Sequence, residues 1–500
     1  MSYSYTLVAM AIQSGLLTLV VSSISPSLSV ILIPIVVLLF VLLRPKGPVI
    51  EGIPGPFVGK YLAGIDTKYA FLSGNSARGF HSLHKSYGGI VKFAPGQVTT
   101  NTVKAFRNIY GSGSFLKTGF YKGISRRNIF TATEPAYHSP VRKLFSPSFS
   151  PGSLKSHEGV IRDCILKLHS VYKQKLKTGE KTLSLNNLLY CHSVDTVAEV
   201  LLGKSLGCLD RGRPYFWTEQ LPRIFYWATV RDQFQGSGVP ALLKWMLRRF
   251  LAKGVRQRTE EARMRLINEQ LKTVHTRRDI MVEVLERAEL GSDLPEAEIA
   301  ENFSAIMLAG FHTTQNALCA TIYFVLTHPG ARDKLVAELQ SAFSSSADIS
   351  CDVAQSLPYL NAVITESLRL YSPVPLGGAR VSDGMVVDGV YIPPGVEICT
   401  SLYSMHRNPE YFGEPDAFCP ERWTEEAPFK AKKDAVQPFL IGSRSCIAKY
   451  FAQQMLQLTL AAFFLDFDST YVGRVKDWER DSKCYAFWEL PDLRVELQPR

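Results

Sequence analysis

Five hundred residues, 46% of them hydrophobic, can bury a large core, and after the N-terminus no linker, low-complexity tract or repeat marks a boundary, so one large domain is expected. The formal charge of +11 is dispersed and lacks any zinc, helix-turn-helix or RNA-recognition signature, which excludes nucleic-acid binding and suits an anionic membrane or an acidic redox partner. Nine cysteines, an odd number without a CxxC pair, exclude a complete disulfide framework and place the body in a reducing compartment.

No charged residue precedes Arg44. Residues 5–22 and 28–43 are both strongly apolar, and a membrane-spanning helix needs about 20 such residues. A cleaved signal peptide would require a positive n-region and a small-residue cleavage site, and both are missing. Residues 1–43 are therefore expected to be a membrane anchor of one or two spans. Arg44 and Lys46 hold the body on the cytosolic side by the positive-inside rule. Gly52-Ile53-Pro54-Gly55-Pro56 lies in a stiff hinge, residues 44–60, that leads into the body at 61–500.

Within the body, residues 84–93 read as a helix closed by glycine and followed by a strand, and residues 98–103 as a second strand. His138 and Arg142 are four apart, the spacing of one helical face, but Pro140 between them favours a helix that starts only at Ser139. Residues 195–203 form a buried helix ended by Gly203. Residues 214–258 mix Trp217, Phe225, Tyr226, Trp227 and Trp245 with the basic Arg248, Arg249, Lys253, Arg256 and Arg258, a composition that fits a membrane surface.

Residues 293–328 form a long central helix, capped by Ser292 or Asp293 and stopped by Pro329-Gly330. At its middle, small Ala309 and Gly310 let a flat ligand approach, and the Thr313 hydroxyl can bond the carbonyl one turn back. Glu366 and Arg369 share a helix face, and Arg422 follows in Pro420-Glu421-Arg422-Trp423.

Near the C-terminus, Phe439-Leu-Ile-Gly442-Ser-Arg444-Ser-Cys446-Ile-Ala448 puts one cysteine on a turn just before an apolar helix. Backbone N–H groups and the positive helix end would stabilise a thiolate there, as an iron porphyrin requires of its axial ligand. Gly442 allows a tight turn beneath the macrocycle, and Arg444 can reach a propionate. This loop resembles the haem-ligand loop of the cytochrome P-450 superfamily, with Ala448 where that family more often has glycine. The resemblance covers nearly the whole chain.

The resemblance implies a mainly α fold with a minor β region (α+β), preceded by the anchor. It implies haem b held by Cys446 as the metal ligand, with Arg444, Arg142, His138, Arg380, Phe439, Gly442, Ala309 and Gly310 around it. Thr313 would deliver protons, and His312 stands where the family has an acid. Glu366, Arg369 and Arg422 would lock the scaffold. The expected activity is oxidation of a small lipophilic substrate, a fungal secondary metabolite such as a terpenoid, polyketide or alkaloid, at the endoplasmic reticulum. Electrons would come from an NADPH-cytochrome reductase, with cytochrome b5 as an optional second donor. Two other classes stay open: a haem-thiolate isomerase or dehydratase, suggested by His312, and a non-catalytic membrane haem protein.

Overall fold

The computed structural model describes residues 50–56, 65–111, 115–234, 253–273, 277–425, 427–429, 431–473 and 478–500. The expected anchor at 1–43 and most of the hinge at 44–60 lie outside these residues, as do Trp245, Arg248 and Arg249. No helix among the described residues is long and apolar enough to cross a membrane. The described chain is mainly helical, with short strands gathered into small sheets.

The central helix runs Glu296–Thr327, about 48 Å at 1.5 Å per residue. Glu296 and Glu298 sit in its first turn, where acidic groups complement the helix dipole. The expected side-chain cap does not form. Pro295 is the N-cap residue, and the Ser292 hydroxyl instead accepts from the Leu294 N–H at 3.3 Å. At the other end Pro329 pushes His328 out of helical geometry (φ −128°, ψ 82°).

Around this axis pack Leu185–Leu202, Lys253–Leu271, Pro358–Leu370 and Lys449–Asp466. Leu185–Leu202 ends, as expected, at Gly203 in the left-handed region (φ +68°). Phe303, Phe311 and Leu318 are fully buried along the axis, each contributing about 1.5–3 kcal/mol by burial. Gly310 serves this packing: a Cβ there would lie 3.3 Å from Val197 Cγ2, so the glycine lets two helices approach. Its open side faces a neighbouring helix, and Ala309 is the exposed residue of the pair.

The first strand forms as expected after a helix, Ser76–Tyr87, closed by Gly88 at φ +94°, whereas the second is shorter than the expected 98–103, ending at Thr100, and Val103 already begins a helix. Ile90–Ala94 and Gln97–Thr100 begin a five-stranded sheet that continues through Glu397–Thr400, Arg380–Val381 and Leu116–Lys117. Its last pairing is antiparallel and sets Lys117 directly opposite Arg380. Like charges in that register are destabilising unless an anion lies between them.

Candidate active site

Three segments meet around Cys446: its own loop, the helix Pro135–Phe145, and the sheet edge carrying Lys117 and Arg380. The loop is closed by the Cys446 N–H donating to the Phe439 carbonyl at 2.8 Å and the Ser445 N–H donating to Gly442 at 3.1 Å. Gly442 has φ +75°, and a Cβ would fall 2.1 Å from the Tyr110 carbonyl oxygen. Its requirement for glycine comes from the helix Val103–Gly111 as much as from any ligand. The helix after the cysteine begins at Lys449.

Cys446 is exposed, while the other eight cysteines are buried or half-buried, and all nine are free thiols. Desolvation nevertheless raises its thiol above the usual range, opposed by the Ala448 N–H and the charges of Arg142 and Lys449. A side chain that water can reach but bulk solvent does not surround opens onto an internal space.

His138 corrects the expectation about Pro140. The helix starts at Pro135, an acceptable first position, so His138 lies inside it and is buried. Pro140, sixth in the helix, forfeits only the bond its own nitrogen would donate to Ala136. His138 and Arg142 nevertheless do different things. Arg142 donates to the Ser445 carbonyl at 2.8 Å and to Ser445 Oγ at 3.1 Å, clamping the residue before the cysteine. His138 instead lines a hollow of about 430 Å³ with Tyr110, Ser139, Arg380, Ser443 and Arg444. Arg444 is aimed there by the carbonyls of Ala132 and Thr133, at 2.9 and 3.3 Å.

No carboxylate lines this hollow. Burial first, then Arg444, Lys117, Arg142 and Arg380, depress His138 to about 3. Burial, Arg380 and Arg142 bring Arg444 down to about 10. Lys117 is held well below the ordinary lysine range by burial, Arg380 and Arg444. Arg380, Arg444 and His138 line the hollow with no carboxylate among its walls, and Lys117, whose ammonium donates to the Phe130 carbonyl, adds its field to theirs; this excess of positive charge fits a multiply negative group such as a pair of propionates. Lys117 was missed in the sequence, since a lysine on a two-residue strand carries no motif; only the register against Arg380 reveals it.

On the far side, Ala309 is exposed in the middle of an otherwise largely buried helix and lines a second hollow of about 720 Å³, partly open to solvent. Ala305, Leu308, Phe130, Phe225 and Phe487 make its walls mostly apolar. Thr313 Oγ1 donates to the Ala309 carbonyl at 2.8 Å, as the sequence suggested, and Thr314 Oγ1 donates likewise to Gly310 at 2.6 Å. His312 sits buried among aromatic rings. Burial lowers it to about 4, its Nδ1 has no hydrogen-bond partner, and its ring lies edge-on to Phe487 at 5.6 Å. At neutral pH it is an uncharged imidazole in an aromatic wall.

The Glu366 scaffold holds the loop from behind. Arg369 Nε and Nη2 each donate to Glu366 at 2.8 Å, and Arg422 Nε donates to its Oε1 at 3.3 Å. Trp423 Nε1 adds a bond at 2.9 Å that the sequence did not announce. All three charged side chains are fully buried. Arg369 also donates to the carbonyl of His406, whose imidazole accepts from the Gln437 N–H at 3.1 Å, two residues before Phe439.

Among the described residues no three His, Cys, Asp or Glu side chains converge as a metal site. An exposed thiol, an excess of positive charge beside its loop and a small residue opening onto the other hollow fit a haem in this space.

The cytochrome P-450 family model matches residues 53–491. Cytochrome P-450 monooxygenase BOT4 of Botryotinia fuckeliana is 30% identical over 88% of this chain and 85% of its own length. Cytochrome P-450 monooxygenase AMT3 of Alternaria alternata is also 30% identical, over 89% of this chain and 93% of its own. Trichothecene C-15 hydroxylase of Fusarium sporotrichioides is 26% identical over 90% and 93%. The chain belongs to the cytochrome P-450 family, oxidoreductases that use haem with an axial cysteine thiolate, and it is a haem-thiolate monooxygenase.

Proposed function

We propose that this chain oxidises a small lipophilic secondary metabolite with haem b ligated by Cys446. The observation that carries this reading is the hollow lined by His138, Arg380 and Arg444, with no carboxylate in its walls, beside the loop of the exposed Cys446. When bound, haem supplies dioxygen activation and the transfer of one oxygen atom to carbon.

The protein's own residues do the rest. Cys446 donates sulfur charge from a loop fixed by Arg142 at Ser445. Lys117, Arg380 and Arg444 neutralise propionates. The Thr313 hydroxyl donates to the Ala309 carbonyl, which leaves its lone pairs to accept a hydrogen bond, and Oγ1 would hold a proton for delivery. Phe225 and Phe487, T-shaped at 4.5 Å, give the hollow an apolar wall. His312 orders that wall as a neutral ring.

In this reading residues 1–43 anchor the protein at the endoplasmic reticulum, residues 44–60 form the hinge and residues 61–500 the catalytic body. An NADPH-cytochrome reductase, with cytochrome b5 as an optional second donor, docks on the basic surface near Lys449. The trichothecene hydroxylase and the other fungal relatives support a secondary-metabolite substrate. The test is co-expression with a fungal reductase followed by comparison of metabolites with and without the chain. The expected result is at least one product heavier by one oxygen atom, formed only with NADPH. Turnover without NADPH and reductase would instead select the isomerase or dehydratase class.

A further inference from the structure

The larger hollow is chemically lopsided. Near Ala309 its walls are apolar, but at its other end Thr259, Glu260 and Arg263 of the helix Lys253–Leu271 join Ser125 and Asn128 in lining it. Position along the central helix gives the separation. Arg263 Nη2 lies 3.7 Å from Glu301, and Arg126 Nε lies 2.9 Å from Glu260 and 3.7 Å from Glu301. Glu301 is eight residues before Ala309, about 12 Å along a helix axis. The polar end therefore sits about 12 Å from the residue that opens toward the haem space.

The charges at that end cancel. Glu260 and Glu301 face Arg126 and Arg263, and the Glu301 side chain is only 7% exposed. Both Glu301 oxygens lack a hydrogen-bond donor, so they add field without accepting anything. Of these four, Glu260 and Arg263 line the hollow, so a ligand carboxylate would meet the Glu260 carboxylate and an ammonium would meet the Arg263 guanidinium. Glu260 lines the hollow and keeps 23% of its side chain exposed, so its carboxylate is an acceptor within a ligand's reach. A hydroxyl satisfies the arrangement from both sides, donating to the carboxylate while accepting from a guanidinium.

We infer that the substrate is a neutral, largely hydrocarbon skeleton bearing a hydroxyl group about 10–12 Å from the carbon that is oxidised, and that Glu260, with Arg263 beside it, is the residue that binds this hydroxyl. The inference rests on the monooxygenase reading of the same site, and it names Glu260 as a specificity determinant.

The probes are 5α-androstan-3β-ol and 5α-androstane, a rigid pair differing by one hydroxyl, titrated against the holoenzyme by the substrate-induced shift of the Soret band. The wild-type protein is expected to bind the alcohol at least about tenfold tighter, as for a hydrogen bond to a charged group. In Glu260→Gln and Glu260→Ala the preference falls to within about threefold, while the dissociation constant for androstane stays within a factor of about two. Equal affinities in the wild type, a preference that both variants keep, tighter binding of the 3-carboxylate analogue, or no binding of any steroid each overturns the inference. The carbon monoxide difference spectrum of every sample separates the two failures. Its absence in the wild type would sink the haem-thiolate reading, whereas with it intact only the hydroxyl site is lost.

Discussion

At the residue scale, Thr313 and His312 are neighbours in different surroundings. Thr313 keeps its hydroxyl tied to Ala309, so Thr313→Ala should lower product formed per NADPH by at least about tenfold, with haem content unchanged. An unchanged ratio in stopped product assays would remove the threonine from proton delivery. His312, lowered to about 4 by burial, is neutral at any working pH. His312→Asn should therefore leave the pH profile of coupling unmoved between about pH 6 and about pH 8, and a displaced profile would show that the imidazole titrates. Gly442 makes a steric prediction: with the Tyr110 oxygen 2.1 Å from any added Cβ and φ at +75°, Gly442→Ala should cost at least about 1–3 kcal/mol of stability and loosen the haem loop. Loss of haem on gel filtration reads this out. The sequence made the need for glycine plain at this position but not its source, because Tyr110 is more than three hundred residues away in the chain.

At the scale of elements, the Glu366–Arg369–Arg422 cluster ties a helix to the loop that carries Cys446, through His406 and Gln437. Removing its one acid leaves two guanidiniums buried, so Glu366→Ala should destabilise the fold by about 3–5 kcal/mol. Urea unfolding followed by tryptophan fluorescence measures this, and a loss under about 1 kcal/mol would show that the cluster is dispensable. The pair was legible because Glu and Arg three apart on one helix is a local pattern, and the later arginine stands in a recognisable dipeptide context. Trp423 and Lys117 were not, since each acquires its partner only through tertiary contact. The Pro135–Phe145 helix shows the reverse failure. A local rule about Pro140 was applied correctly and then overridden, because the helix had already started five residues earlier at another proline.

For the whole molecule, buried neutral histidines set the response to acid. His84 and His312 are lowered to about 4, and His192 and His406 to about 3, burial being the first cause in each. A base whose folded value lies below its unfolded one adds stability that is complete above about pH 6.5 and lost as pH falls toward the folded value. Each should withdraw about 1–2 kcal/mol by pH 5, so the melting temperature should fall steadily from pH 7 to pH 5. His192→Gln should flatten that slope, and a melting temperature independent of pH across this range would contradict the assignment.

The turn before Cys446 and the shared helix face of Glu366 and Arg369 were readable from local patterns, whereas the mainly helical architecture, the haem role of that turn and the scaffold role of that pair followed from the family resemblance. The charge balance of the two hollows was readable in neither way, because it is assembled from the sheet edge, two helices and a loop. The most direct measurement is the carbon monoxide difference spectrum of the reduced protein beside that of Cys446→Ser. The wild type should show the long-wavelength Soret band of a thiolate-ligated haem and the variant should lack it. A variant that keeps its porphyrin and an unaltered band would contradict the central claim.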